Sequence, residues 1–308
     1  MYISDQWSEY ELLDAGEGNR LERWGEYRLI RPDPQVIWKG MSQASLWKTA
    51  DATYSRSSNG GGQWRGTTAL PSQWEISFAP LDLRFVIRPM NFKHTGLFPE
   101  QAVNWLWFTD LIQKAGRPIR VLNLFAYTGG ATLAAARAGA SVVHVDSAKG
   151  MVAQARENAA LSGLTEAPIR WLVDDCQKFV EREIRRGNRY DAIIMDPPSY
   201  GRGPTGEIWR LEENLYEFVS LCTLLLSDNP LFVLINSYTS GLSASTIGYI
   251  LSLCMREKNG QVSCDEVGLP VQSSGLILPC GSAARWTSAE AESKIVATKA
   301  SATPDDQQ

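Results

Sequence analysis

The chain has 308 residues, a net charge of −4 and a pI near 5.4, with 44% hydrophobic and 21% charged side chains. Those proportions describe a globular protein with a well-buried core and room for two domains. No apolar run reaches the ~18 residues of a spanning helix, and Met1–Trp7 lacks the basic-then-apolar order of a secretory signal, so a cytoplasmic protein without membrane partners is expected. Five cysteines without a Cys-x-x-Cys pair, and two isolated histidines (His94 and His144), argue against a disulfide framework and against any metal site.

Residues 1–88 read as a small β-rich N-terminal domain. Short apolar pieces at 27–30, 35–38, 74–78 and 83–87 have strand length and are separated by Pro, Gly and Asp. Ser57–Gly62 is a loop by composition. Residues 27–88 carry eight basic side chains against four acids, a local excess of +4 in an acidic chain. Trp38-Lys39, Trp47-Lys48 and Trp64-Arg65 interleave aromatic and cation as an RNA-stacking surface does. Strand neighbours face opposite sides, however, so tryptophan in a core and cation in water give the same pairs. The core reading is preferred.

From Ile119 the texture becomes alternating strand and helix. Strands are expected at 121–125, 141–145, 169–173, 190–195 and 231–235, with helices at 131–138, 151–161, 179–186 and 211–226. That alternation predicts an α/β domain over 89–286, with a parallel sheet and helices on both faces. Gln261–Leu269 and Leu276–Pro279 read as an antiparallel edge, and 287–308 as a disordered tail, being small, polar and aperiodic. Cys222 and Cys254 lie in apolar helical stretches and are expected to be buried and inert.

In open α/β sheets ligands lie beyond the carboxyl ends of the strands, near the switch point of strand order. Phe125-Ala-Tyr-Thr-Gly-Gly130 follows the first strand of this region. Glycine there lets backbone approach a ligand, and the next helix offers its first N–H groups to a carboxylate. The loop is not Gly-x-Gly-x-x-Gly, which disfavours a pyrophosphate. Asp146, ending the second strand, suits both hydroxyls of a ribose, in a dinucleotide or in S-adenosylmethionine, or a cap on the next helix. Asp174-Asp175-Cys176, past the third strand, offers a partner for an adenine amino group or a second cap. In Asp196-Pro-Pro-Ser-Tyr200 two prolines fix the backbone and remove two donors. The Asp196 carboxylate and Pro197 carbonyl can then accept protons from an amine whose lone pair attacks a methyl group, with Tyr200 stacking on a planar acceptor. A merely stiffened loop is the competing reading.

These residues carry a family resemblance. Lys93-His-Thr-Gly-Leu-Phe-Pro-Glu-Gln101, Asn123-Leu-Phe-Ala-Tyr-Thr-Gly-Gly130, Val145-Asp-Ser147, Asp174-Asp175 and Met195-Asp-Pro-Pro198 make residues 93–285 resemble the class I S-adenosylmethionine-dependent methyltransferases. Within that class they look most like the large-subunit ribosomal-RNA enzymes acting on cytosine C5 or guanine N7. The resemblance implies a Rossmann-like seven-stranded sheet with one antiparallel strand near its edge, S-adenosyl-L-methionine as cofactor, and an RNA base, in rRNA, as acceptor. It implies cofactor contacts from Gln101, Asn123, Phe125, Ala126, Tyr127, Thr128, Gly129, Asp146, Ser147, Asp175 and Asp196. Gln101 and the Tyr127–Gly129 loop would hold the methionine end, Asp146 the ribose and Asp175 the adenine. Asp196, Pro197 and Tyr200 would serve catalysis.

The cytosine enzymes place a cysteine beside Ser-Gly-Leu after the fifth strand, where this chain reads Ser237-Tyr-Thr-Ser-Gly-Leu242. Cytosine C5 becomes nucleophilic only after a thiolate adds to C6, and a threonine hydroxyl is a poor substitute. Cys280, beside an edge strand, is expected to pack, so C5 chemistry is disfavoured. The rival functions are a methyltransferase acting on a protein side chain or small molecule, a catalytically silent RNA-binding scaffold, and, less favoured, an oxidoreductase.

Overall fold

The computed structural model describes residues 1–57, 61–66, 70–90, 93–202 and 208–294. They form two compact units: Met1–Asn104 with Gln154–Thr165 and Glu266–Cys280, and Trp105–Ala153 with Glu166–Asp265 and the chain from Gly281 onward.

The first unit begins with a two-residue strand, β1 (Tyr2–Ile3), followed by β2 (Tyr10–Gly16), β3 (Asn19–Trp24), β4 (Tyr27–Pro32), a single helical turn α1 (Ala44–Trp47), β5 (Ala52–Arg56) and β6 (Gly62–Gly66). Strands β2 to β6 form one sheet in chain order, antiparallel except for the parallel β4–β5 pair. Glu17 and Gly18 turn β2 into β3 with φ of 50° and 73°, the positive-φ pair that matches the twist of a tight hairpin. β7 (Trp74–Phe78) and β8 (Leu83–Ile87) make a separate antiparallel ribbon. Asn158 and Ser162 accept the β8 amides of Val86 and Arg84, both at 2.9 Å. Val271 bridges Leu12, and the Ser273 hydroxyl donates to Asp14 at 2.6 Å.

The strand expected at Gln35–Trp38 does not form. Pro32 and Pro34 remove donors, and Asp33 Oδ1 accepts the Gln35 amide at 2.9 Å, so the chain turns. Trp47 is buried with its indole N–H on Asp14 at 2.7 Å. Trp38 and Trp64 keep part of their rings exposed but donate to the Ala15 and Met90 carbonyls at 2.8 and 2.9 Å. Part of the Ser57–Gly62 loop, residues 58–60, lies outside the described residues.

An ionic cluster sits inside this unit. Glu22 is fully buried and accepts both forks of Arg31 at 2.6 and 2.7 Å and the Tyr10 hydroxyl at 2.8 Å. Arg20 lies 3.6 Å from Glu22 and 3.3 Å from Asp33. Burial alone would raise the Glu22 carboxyl, but the Arg31 and Arg20 guanidiniums overcome it and hold the pKa at about 2.

Beyond β8 the chain alternates helix and strand. After α2 (Ala102–Lys114) come β9 (Arg120–Leu124), α3 (Gly130–Arg137), β10 (Ser141–Asp146), α4 (Lys149–Leu161), β11 (Ile169–Val173), α5 (Cys176–Arg185) and β12 (Ala192–Met195). A short ribbon of β13 (Tyr200–Arg202) and β14 (Ile208–Arg210) leads to α6 (Leu211–Thr223), β15 (Phe232–Ser237), α7 (Ala244–Met255), β16 (Gly260–Pro270) and β17 (Ile277–Ser288). The main sheet runs β1-β16-β17-β15-β12-β9-β10-β11. β11, β10, β9, β12 and β15 are parallel, and β17 is antiparallel to β15. β12 is buried at every residue, as a strand covered on both faces must be. Leu122, Ile193 and Val233 pack on α5, α6 and α7, while Asn123 and Phe232 face α3 and α2.

This is the expected seven-stranded α/β sheet, extended by β1 on the β16 edge. β17 runs well past Pro279, because Ala283 and Ala284 are fully buried in its pairing with β15. Thr287 and Ser288, assigned to the tail by composition, complete β17, and residues 289–294 are helical. The rest of the expected tail, 295–308, lies outside the described residues. Among the described residues no helix is long and apolar enough to cross a membrane.

Candidate active site

Strand order reverses between β9 and β12, so their carboxyl ends mark the switch point. The loop leaving β9 is sharply contorted: Phe125, Tyr127 and Gly129 have φ of 55°, 50° and 87°. Two non-glycine residues in the left-handed region within three positions store strain of about 1–3 kcal/mol each, a cost typical of ligand-binding loops. The loop is fastened on both sides. Ala126 donates to the Val145 carbonyl at 3.1 Å, Tyr127 N–H to Asp146 Oδ2 at 2.8 Å, and Phe125 N–H to the Cys176 sulfur at 3.3 Å. Thr128 is buried.

Gly129 begins α3, and no side chain caps it. The first N–H groups of this helix therefore face the loop with the positive end of its dipole. Gly130 is required by packing: a Cβ there would lie 2.5 Å from Cζ2 of Trp105.

Asp146 ends β10, half-buried. Its Oδ1 accepts the Ala148 amide at 2.8 Å, so the turn into α4 and the β9 loop share one carboxylate. Burial raises its pKa, against the lowering pull of these two amides. Ser147 is exposed beside it. Asp174 N–H reaches the Asp146 carbonyl at 3.0 Å, which places the ends of β10 and β11 side by side. Asp175 caps α5 through Oδ1, accepting Lys178 N–H at 2.9 Å, while Asp174 pairs with Arg182.

Asn123 was expected at the cofactor. Its amide donates to Thr132 Oγ1 at 2.9 Å, and Thr132 lies 2.9 Å from His144 Nδ1, a buried chain that fixes α3 on the sheet. Gln101 belongs to the first unit, where it is buried and its Oε1 accepts Asn104 Nδ2 at 2.8 Å. His94, in the same segment, packs its ring against Phe98, and burial, reinforced by Arg31, Lys93 and Arg20, lowers its pKa to about 4.

Asp196 follows β12, half-buried, with its N–H 3.4 Å from the Leu124 carbonyl at the start of the loop. Pro197 is buried; Pro198, Ser199 and Tyr200 are exposed, Tyr200 to 51%. Two neighbours escaped the sequence reading. Trp209 of β14 donates its indole N–H to the Pro198 carbonyl at 2.6 Å. Thr239, noted only as the residue in place of a cysteine, donates its hydroxyl to Ser199 Oγ at 2.6 Å. Neither contact has a local sequence signal, since each joins loops separated along the chain.

Three of the thiols are wholly or partly shielded. Cys280 is buried in the first unit, where burial and then Glu100 push its thiol well up. Cys222 is fully buried, and Cys254 is half-buried against Ser220. Among the described residues no group of His, Cys, Asp and Glu could hold a metal ion.

Comparisons with known proteins show the family. The family model described as S-adenosylmethionine-dependent methyltransferase matches residues 51–242, more than half of the chain. A solved S-adenosylmethionine-dependent methyltransferase from Agrobacterium tumefaciens is 38% identical with a TM-score of 0.87, over 92% of each chain. A methyltransferase solved with S-adenosylhomocysteine shares the fold, with a TM-score of 0.69 at 19% identity over 92% of this chain and 76% of that one. The ribosomal RNA large subunit methyltransferase K/L of Shewanella frigidimarina is 30% identical over 156 residues, 50% of this chain. The chain spans only 21% of that relative's length.

Proposed function

Because the chain belongs to the S-adenosylmethionine-dependent methyltransferase family, we propose that it methylates an amino nitrogen of an RNA base, in large-subunit ribosomal RNA. The observation that carries the reading is the Asp196-Pro197-Pro198 turn at the switch point, beside a contorted loop that ends in an uncapped helix. The similarity to a ribosomal RNA enzyme over half of this chain supports the acceptor class. The same reading places the protein in the cytoplasm, with its RNA.

The chain's residues fit the cofactor. The N-terminus of α3 suits the methionine carboxylate, the remaining lone pairs of Asp146 suit the ribose hydroxyls, and Asp175, which caps α5 through Oδ1 only, retains Oδ2 for an adenine amino group. Bound there, S-adenosylmethionine supplies an electrophilic methyl group on a sulfonium. The Asp196 carboxylate and Pro197 carbonyl accept hydrogen bonds from the acceptor nitrogen and turn its lone pair toward that methyl. Tyr200 stacks on the base. As the nitrogen gains its new bond, its surplus proton passes to Asp196. Positioning and exclusion of water supply most of the rate.

Calorimetry provides the first test: S-adenosylmethionine and S-adenosylhomocysteine bind, and NAD does not. Asp146→Ala weakens cofactor binding by about 2–4 kcal/mol, the scale of hydrogen bonds from two hydroxyls to a charged group. An Asp146→Ala protein that is folded and binds with unchanged affinity would remove Asp146 from the ribose role. RNA substituted with 5-fluorocytosine is expected to give no covalent adduct, because Thr239 replaces the cysteine and Cys280 is buried. A stable crosslink abolished by Cys280→Ala would restore cytosine C5 as the target. Mapping methylated positions in rRNA from a deletion strain identifies the base; unaltered rRNA would turn attention to a protein or small-molecule acceptor.

A further inference from the structure

We propose that Trp209 and Thr239 are positioning residues that clamp the acceptor turn against the cofactor loop. The inference rests on the reading of Asp196–Tyr200 as the acceptor site.

The turn is held in part from outside. Its two prolines donate nothing, and the Asp196 amide reaches Leu124 at 3.4 Å, long for an N–H···O bond. Neighbouring segments donate three hydrogen bonds to it. The Leu211 amide donates to the Ser199 carbonyl at 3.1 Å, Trp209 Nε1 to the Pro198 carbonyl at 2.6 Å, and Thr239 Oγ1 to Ser199 Oγ at 2.6 Å. Because proline fixes φ, holding the Pro198 carbonyl also restricts how the adjacent Pro197 carbonyl points. Pro197 O is the atom assigned to the acceptor nitrogen, so an error at Pro198 reaches the chemistry.

Trp209 also contacts the other side of the site. Its ring centroid lies 5.9 Å from Phe125 and 5.6 Å from Phe218, and those two rings are themselves 5.6 Å apart. Phe125 is the first strained residue of the cofactor loop, with φ of 55°. One side chain thus packs on the loop that holds the methyl donor and bonds the turn that holds the acceptor. Phenylalanine could do the first of these tasks but not the second, since indole supplies the single N–H donor. Thr239 closes the turn from the β15 side, and its own amide donates to Ser237 Oγ at 3.2 Å. At this position the hydroxyl serves as a brace where a thiol would serve as a nucleophile.

Three variants test the clamp. Trp209→Phe keeps a ring and loses the donor, Thr239→Val keeps the shape and loses the hydroxyl, and Thr239→Ser restores it. The probe is unmodified large-subunit rRNA made by transcription. Trp209→Phe and Thr239→Val are each expected to slow single-turnover methylation about tenfold, the effect of one lost hydrogen bond. S-Adenosylhomocysteine affinity stays within about twofold, since neither bond touches the cofactor. Thr239→Ser recovers most of the rate. Hydrogen–deuterium exchange over 196–202 accelerates in the two impaired variants but not over 125–133. An unchanged rate in Trp209→Phe, or a loss of cofactor affinity parallel to the loss of rate, overturns the proposal. If the wild-type protein methylates no RNA, the acceptor reading fails, while exchange at the turn still decides whether the clamp exists. Unchanged exchange would refute the clamp in that case.

Discussion

Asp196→Ala slows single-turnover methyl transfer by about 10²–10³-fold, the scale for removing one preorganised polar contact in a transition state. Affinity for S-adenosylmethionine remains within about twofold of wild type. The reason lies in where the interaction acts. The carboxylate's bond to the acceptor nitrogen strengthens as positive charge develops there, so its loss appears in the rate and not in ground-state binding of the other substrate. The Asp196 amide that reaches Leu124, at the start of the loop after β9, is retained in alanine. Cofactor titration and rapid-quench kinetics measure both quantities on one preparation. A folded Asp196→Ala protein that no longer binds the cofactor would place this residue in the donor site, and full activity would make the turn purely structural.

The second large effect is on stability. Glu22→Ala destabilises the first unit by about 3–5 kcal/mol, because it leaves the Arg20 and Arg31 guanidiniums buried without their shared counter-charge. Denaturant unfolding at neutral pH measures this; a loss below about 1 kcal/mol would mean that water or Asp33 compensates. The wild-type protein carries a matching acid dependence. Unfolded Glu22 takes up its proton near 4.5, folded Glu22 only at about 2, so its contribution is complete above 4.5 and vanishes as pH falls through 2. His94 adds an earlier limb. Its folded pKa of about 4 lies below 6.5, so burying it neutral costs stability as pH falls from 6.5 through 4. Glu22→Ala abolishes the lower limb and leaves the upper one.

The parallel half of the fold was legible because its strands are continuous apolar runs. β12 reads Ala-Ile-Ile-Met and is buried throughout, as a strand with helices on both faces should be. The candidate site was legible for a related reason: loops at strand ends come at fixed points in an alternating pattern, so Phe125–Gly129, Asp146 and Asp196 were placed by counting elements. The first unit hid its strands. β2 and β3 carry Glu11, Asp14, Arg20, Glu22 and Arg23, which break the period-two apolar signal. Most of those charges are nevertheless buried, because they pair with one another or with indole and hydroxyl donors. Composition cannot distinguish a paired buried charge from a solvated one. β17 was cut short for the opposite reason: Gly281, Ala283 and Ala284 have weak strand preference but fit the close packing there. The bond from Asn123 to Thr132 was not legible, because it joins β9 to α3 across nine residues of chain.

The division of the first unit among three chain segments constrains the order of biosynthesis. Asn104 and Glu266 are separated by roughly 160 residues, about 10–30 s of translation at ~5–20 residues per second. During that interval the nascent β2 lacks Val271 beside Leu12, and Asp14 lacks the hydroxyl of Ser273. Of the three segments that compose the first unit, the one that supplies these contacts is the last to be made.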